Sequence, residues 1–249
     1  GLEYGGGYSN EFNLYVAEEY KGANNQTVDA EKAKKASDII SNASGNAQKI
    51  LNAAKDLPSP IAKLQYFKKA ICDLVSYNHD AVENNTTYGN PWQMIWVFDG
   101  DPQNQVVCEG YAKAFQYLCD QAFPDGPVQC YTVTGLMSGG TGAGPHMWNI
   151  VTIDNKNYLV DVTNCDGDSV GAPDYLFLVG GTRNNGTEYD YKIDIPGQGS
   201  ICYAYDADLA WNNNVLTLAE TNYEDPAAPR TITLTLPTQE VSTTSTPPL

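Results

Sequence analysis

The sequence predicts an α+β fold in which N-terminal helices pack on an antiparallel β-sheet, and three observations carry that expectation. Apolar residues recur at helical spacing through the first half, between Asp29 and Ala122. Short stretches of period-2 alternation fill the second half, from Val128 onward. The two kinds of segment do not alternate, as the βαβ units of a parallel sheet would require. A chain of 249 residues is long enough to bury a core of its own.

Between Asp29 and about Leu57 the chain reads as helical, with a loose stripe of Ile39, Ile40, Ala43, Ile50, Leu51 and Ala54 broken by "SNASGN", which leaves one helix or two open. In "SPIAKLQYFKKAICDLVSYN", Ser59 suits a cap and Pro60 a first helical position. Ile61, Leu64, Phe67, Ile71 and Leu74 then share one face. Cys72 and His79 ride on or near this helix, and His79 reads as structural. The stretch "NNTTYGNPWQMIWVFDGDPQNQ" predicts a loop around an apolar island. A helix follows from about Glu109 to Ala122, with Tyr111, Phe115, Leu118 and Ala122 on its apolar side, and "FPDGP" ends it. Strands are expected at "VQCYTVTG", "HMWNIVTI", "YLVDVT", "DYLFLV", "SICYAY", "NVLTL" and "TITLTL".

Acidic residues outnumber basic ones 30 to 14, a net charge of -16. Nucleic-acid binding needs clustered Lys and Arg, so nucleic acid is not an expected partner. No run of apolar residues is long enough to span a bilayer, and no charged-then-apolar leader opens the chain. The opening "GLEYGGGYSN" reads as a remnant or flexible tail, and "TQEVSTTSTPPL" as an interdomain linker. Together they suggest an extracellular or cell-surface module of a larger protein.

The six cysteines form no CxxC pairs and the histidines number two, which argues against zinc. No EF-hand loop occurs either, so neither metal nor cofactor is expected. Cys119, Cys130, Cys165 and Cys202 could pair as disulfides in an extracellular setting or remain buried thiols.

Cys108 stands where an apolar run turns into a helix, in "VVCEGYAKAFQYLC". Taken alone it reads as a buried structural thiol. A helix N-terminus, however, carries unpaired N–H groups and partial positive charge, which favour a thiolate and could receive a tetrahedral oxyanion. A thiolate nucleophile also needs an imidazole. His146 is the better candidate, because it opens a strand directly after the glycine-rich "SGGTGAGP".

The imidazole in turn needs an acceptor that fixes its tautomer. Asp154-Asn155 can form a two-residue type I′ turn, since both residues tolerate positive φ. The hairpin then pairs Ile153 with Lys156, Trp148 with Asp161 and His146 with Thr163. Asp161 would lie diagonal to His146 on one face, with Cβ atoms roughly 7–8 Å apart. Moving the turn to Asn155-Lys156 would separate them by about 13 Å along the strand. A carboxylate inside "YLVDVT" needs a partner in any case, because an unpaired buried acid is costly.

Three blocks, "VCEGYAKAF", "GPHMWNIV" with "IDNKNYLVDVT", and "DYLFLVG", together resemble the transglutaminase-like superfamily, in particular its bacterial secreted or cell-surface members with a papain-like Cys-His-Asp core. The resemblance covers about residues 60 to 205. It implies Cys108 as nucleophile, His146 as general base and acid, and Asp161 as the orienting carboxylate. It also implies acyl transfer through a thioester on protein or peptide amides. The family's hairpin turn is commonly Asp-Gly, where this chain has Asp154-Asn155. "WVFDGDPQNQ" is longer than usual before the cysteine, and "DVTNCD" stands where a Trp more often follows the threonine.

Family members often place a polar or aromatic side chain upstream of the cysteine to face the oxyanion, and Gln93 and Trp96 are the candidates. Trp148 and Tyr111 are read as core or cleft-wall aromatics. The expected organisation is an N-terminal tail and helical region (1–57), a transglutaminase-like catalytic core (58–206), C-terminal strands (207–236) and a linker (237–249). Crosslinking of an acyl group to an amine, hydrolysis by a cysteine peptidase or deamidase of cell-wall or host peptides, and an inactive surface binding or scaffold module remain the alternatives.

Overall fold

Asp29 opens the first long helix by accepting hydrogen bonds from the N–H groups of Glu31 and Lys32. This helix, α1 (Ala30–Ala54), runs unbroken through "SNASGN" in the computed structural model of the chain. Of the two readings the sequence leaves open, one helix or two, the chain forms one. Ala43, Ala47, Ile50 and Ala54 keep an uninterrupted buried stripe, while Ser44 and Gly45 face outward where they break nothing. The structure describes residues 16–17, 20–24, 26–83, 90–139, 143–167, 175–184, 190–197, 199–205 and 217–226.

The Ser59 side chain accepts from Ala62 N–H and starts α2 (Pro60–Leu74), whose Ile61, Leu64, Phe67 and Ile71 are buried. A short α3 (His79–Glu83) follows. The segment expected as loop instead contains α4 (Trp92–Phe98), started by Asn90, whose side chain accepts from Trp92 N–H. Gln93, Val97 and Phe98 bury one face of this helix, so tertiary packing overrides the surrounding turn residues. Next comes α5 (Cys108–Ala122), one residue earlier than expected.

The sheet comprises β1 (Val128–Ser138), β2 (Gly144–Ile153), β3 (Lys156–Val160), β4 (Phe177–Val179), β5 (Thr182–Arg183), β6 (Asp190–Ile195) and β7 (Gly199–Tyr205), with the helical turn α6 (Val162–Cys165) between β3 and β4. Its order is β4-β3-β2-β1-β7-β6-β5, and neighbouring strands are antiparallel. The protein is thus α+β, with helices against a curled seven-stranded sheet. "DYLFLV" contributes only its last residues to a strand, as β4.

Alternation along each strand divides the interior into two cores. Cys130, Val151, Ile153 and Val160 face the helices and join Leu64, Phe67, Phe115 and Leu118. Val133, Trp148, Ile150, Leu159 and Tyr203 face inside the curl. Each large apolar side chain buried in this way contributes about 1.5–3 kcal/mol. At Gly135 a Cβ would stand 2.0 Å from the Ala204 carbonyl oxygen and 2.8 Å from the Trp148 ring, so β1 and β7 can close over Trp148 only because this residue has no side chain.

Of the expected strand "NVLTL", Thr217 and Leu218 fall among the described residues. Leu218 bridges Asn157, and Ala219 N–H donates to the Asn157 carbonyl at 2.9 Å. "TITLTL", the tail before residue 16, the terminal Thr/Ser/Pro-rich stretch and the centre of the glycine-rich loop lie outside the described residues. Among the described residues, no helix is long and apolar enough to cross a membrane.

Candidate active site

The sequence around Cys108 fixes its sulfur through backbone constraints on both sides. Val106 is tied to the chain ahead of α3: its N–H donates to Ser76 O at 3.2 Å, and Asn78 N–H donates to Val106 O at 3.0 Å. Val107 is extended, and its N–H donates to Gln93 Oε1 on α4 at 2.8 Å. Gly110 lets the first turn of α5 press against α4. A Cβ there would lie 2.6 Å from Val106 Cβ and 3.0 Å from the Gln93 carbonyl oxygen. Cys108 itself is buried beside Ala112 and Met147.

His146 arrives from β2, opposite Gly135 on β1. Trp148, two residues along and on the same face, lies under the imidazole with ring centroids 6.0 Å apart and planes 19° from parallel. His146 Nε2 is 2.8 Å from Asp161 Oδ2, and the Cys108 thiol is a hydrogen-bonding and electrostatic neighbour of the same ring. The structure therefore brings Cys108, His146 and Asp161 into one contiguous group.

The hairpin register behind this grouping is the expected one. Asp154 and Asn155 have φ of 51° and 58°, and Ile153 pairs with Lys156 and Asn149 with Val160. The extension of the ladder to Trp148–Asp161 and His146–Thr163 is corrected, because the chain leaves the sheet after Val160. Asp161 N–H turns to Leu176 O at 2.8 Å, and its side chain becomes the N-cap of α6, accepting from Asn164 N–H at 3.2 Å. Departure from the strand changes a diagonal relation to His146 into direct contact. Oδ2 of Asp161 also accepts from Asn164 Nδ2 at 2.6 Å and from Tyr203 Oη at 2.7 Å, and the residue is 0% exposed.

Burial by itself would push the His146 pKa down, but the adjacent Asp161 carboxylate outweighs it. With a further contribution from Cys108, the imidazole is raised from 6.5 to about 10. Burial would likewise raise Asp161, yet the His146 charge and the hydrogen bonds from His146, Asn164 and Tyr203 hold its carboxyl below the ordinary value. Burial and the neighbouring carboxylate push the Tyr203 hydroxyl well up, so it remains an O–H donor. The arrangement suits an imidazolium held against a carboxylate, with a thiol as its neighbour.

The remaining candidates separate. Gln93 is buried, and its Oε1 receives the N–H of Val107, the residue immediately before the thiol, which leaves its Nε2 group as a donor not used in that bond. Trp96 is half-buried against the helical core on α4. Trp148 and Tyr111 are both 0% exposed, which places them on the core side of their reading as core or cleft-wall aromatics. Tyr111 instead donates its hydroxyl to Asp166 Oδ2 at 2.6 Å. His79, at the start of α3, is exposed and meets Tyr77 edge-on at 5.0 Å.

Sequence reasoning missed Asn164, Tyr203 and Tyr77. Asn164 carries a weak signal, three residues past an Asp that caps a helix. Tyr203 carries none, because its approach depends on the long-range closure of the sheet. Tyr77 is half-buried, and its hydroxyl is pushed up first by burial and then by Cys108 and Asp161, which puts it in their neighbourhood. Among the described residues, no group of three or more His, Cys, Asp or Glu could hold a metal ion, and no disulfide joins the cysteines.

No family model matches the chain, and no curated protein does. Among solved structures, it matches one described as the crystal structure of a TGase, with 19% sequence identity and a TM-score of 0.36 over 57% of this chain. The match spans 35% of that chain, so about a third of its length is represented here.

Proposed function

We propose that the protein is a cysteine-dependent acyltransferase of transglutaminase-like type, acting on carboxamide or peptide groups of a protein or peptide substrate. The observation that carries this reading is the imidazole of His146, anchored through Nε2 to a buried carboxylate at 2.8 Å and neighboured by the Cys108 thiol. A structural cysteine has no use for a histidine oriented by a buried acid.

In the proposed reaction, His146 holds the proton given up by the thiol as an imidazolium, and the Cys108 thiolate attacks the substrate carbonyl carbon. The tetrahedral oxyanion rests against the Cys108 N–H at the start of α5, with the Nε2 of Gln93 as the second candidate donor. His146 then returns the proton to the leaving ammonia or amine, and a thioester on Cys108 remains. A primary amine that attacks the thioester gives a crosslink. Water gives hydrolysis, the outcome of a cysteine peptidase or deamidase, and the balance depends on how well the cleft excludes water. Asp161 stays ionised throughout and orients the ring rather than taking a proton.

The test is incubation with a glutamine-containing peptide and a biotinylated primary amine, followed by mass spectrometry of the intact protein. The expected result is an acyl adduct confined to Cys108, with biotin incorporation or ammonia release that disappears in Cys108→Ala. If Cys108→Ala processes the peptide as fast as the parent, or the parent forms neither adduct nor product from any amide supplied, the proposal fails.

A further inference from the structure

We infer that Tyr203 and Asn164 are positioning residues, whose donated hydrogen bonds hold the Asp161 carboxylate as an oriented anion against His146. The inference rests on the acyl-transfer reading of the same site. An ionised carboxylate offers about four acceptor positions. Four donors converge on Asp161: His146 Nε2 at 2.8 Å, Asn164 Nδ2 at 2.6 Å, Tyr203 Oη at 2.7 Å and the Asn164 backbone N–H at 3.2 Å. Three of these contacts fall on Oδ2 and one, from the Asn164 backbone N–H, on Oδ1, so a proton on Oδ2 would set hydrogen against hydrogen, and the convergence of donors favours the anion.

The two side chains reach the carboxylate from different directions in the chain. Asn164 belongs to the helical turn that Asp161 itself caps, and its Nδ2 also lies 3.3 Å from Met137 Sδ on β1. Tyr203 comes from β7, separated from β3 by β2 and β1 in the sheet, so its hydrogen bond closes the curl. Its ring stands edge-on to Trp148 at 5.1 Å, and Trp148 in turn underlies His146. One residue thus braces both the acid and the support beneath the imidazole. The titratable groups around this carboxylate are His146 on β2, Tyr203 on β7, Cys108 at the start of α5, Tyr77 ahead of α3 and Cys165 on α6.

Tyr203→Phe keeps the ring and removes only the donor. Tyr191→Phe is the control: Tyr191 lies in the same core, is as deeply buried, and its hydroxyl has no partner among the described residues. His146 and His79 are the chain's only histidines, so their imidazole signals can be followed by NMR from pH 2 to 8 without any substrate. In Tyr203→Phe, the acid-side transition of His146 is expected to move up by about one pH unit, the size of one charge-assisted hydrogen bond. Any kcat is expected to fall about tenfold with KM unchanged. Asn164→Ala should shift the transition in the same direction and serves where Tyr203→Phe does not fold. Tyr191→Phe should leave it in place.

An unmoved transition in both Tyr203→Phe and Asn164→Ala, or equal movement in the two tyrosine variants, overturns the inference. Because the titration requires no turnover, a chain without activity on amides would defeat the acyl-transfer reading while the imidazole signals still report on Tyr203 and Asn164.

Discussion

The two faces of the sheet are filled with different chemistry. Toward the helices the core is mostly hydrocarbon, with Ala47, Leu64, Phe67, Ile71, Phe115, Leu118, Val151 and Ile153. Inside the curl stand Trp148, Tyr191, Tyr203 and Tyr205, and at its edge lie the buried His146, Asp161 and Asn164. Cys108 belongs to the first region by its helix, while its imidazole and carboxylate partners belong to the second. The difference separates tasks: one face supplies most of the cohesion, and the other supplies polar groups that orient one another. The Tyr203 hydroxyl suits such an interior because it donates to an anion that would otherwise be costly to bury.

Three substitutions or conditions would break or sharpen that division. Asp161→Asn should have the largest effect, because the imidazole loses the charge that holds its proton and burial then favours the neutral ring. Amide turnover is expected to fall about a thousand- to ten-thousand-fold, measured alongside iodoacetamide modification of Cys108. A variant retaining full turnover would mean that the polar face does not serve the thiol.

Phe67→Ala probes the other face. Phe67 is fully buried on α2, so its truncation should cost about 3–5 kcal/mol in a urea unfolding curve. The rate of Cys108 alkylation at low urea should stay unchanged. Equal losses in stability and thiol reactivity would show that the two regions do not divide the work.

The smallest effect is a pH dependence of stability. The Asp161 pKa is lowered on folding, so its contribution is present above its ordinary value of 3.8 and is lost as pH falls through the lower folded value. The His146 pKa is raised, so its contribution is complete below 6.5 and is lost as pH rises toward about 10. Urea midpoints should therefore be highest between about pH 4 and 6.5, and this maximum should flatten in Asp161→Asn. A midpoint that rises steadily from pH 6.5 to 10 would contradict the charged pair.

Much of this arrangement is legible in the chain, for reasons that differ by element. The helix after Cys108 follows from its amphipathic spacing, and the hairpin register from two residues that accept positive φ. The unbroken α1 was hidden because "SNASGN" looks like a terminator, whereas its polar and glycine positions face outward. The loop reading of "WQMIW" failed because a seven-residue helix has little propensity signal and gains its stability from burying Gln93, Val97 and Phe98. In "YLVDVT" the strand pattern runs on past the point where Asp161 prefers to cap α6. Tyr203 joins the acid only through pairing between distant strands, which no local window contains.

The turn at Asp154-Asn155 stands well away along the hairpin from the sulfur, yet it decides which side chain is delivered at the end of β3. Adding or deleting one residue at that tip would swap the sheet faces along β3 and bring Val160 or Val162 to the spot the acid now occupies. The smallest edit able to silence the imidazole therefore lies at a distant bend, where a survey of the thiol's immediate surroundings would never look.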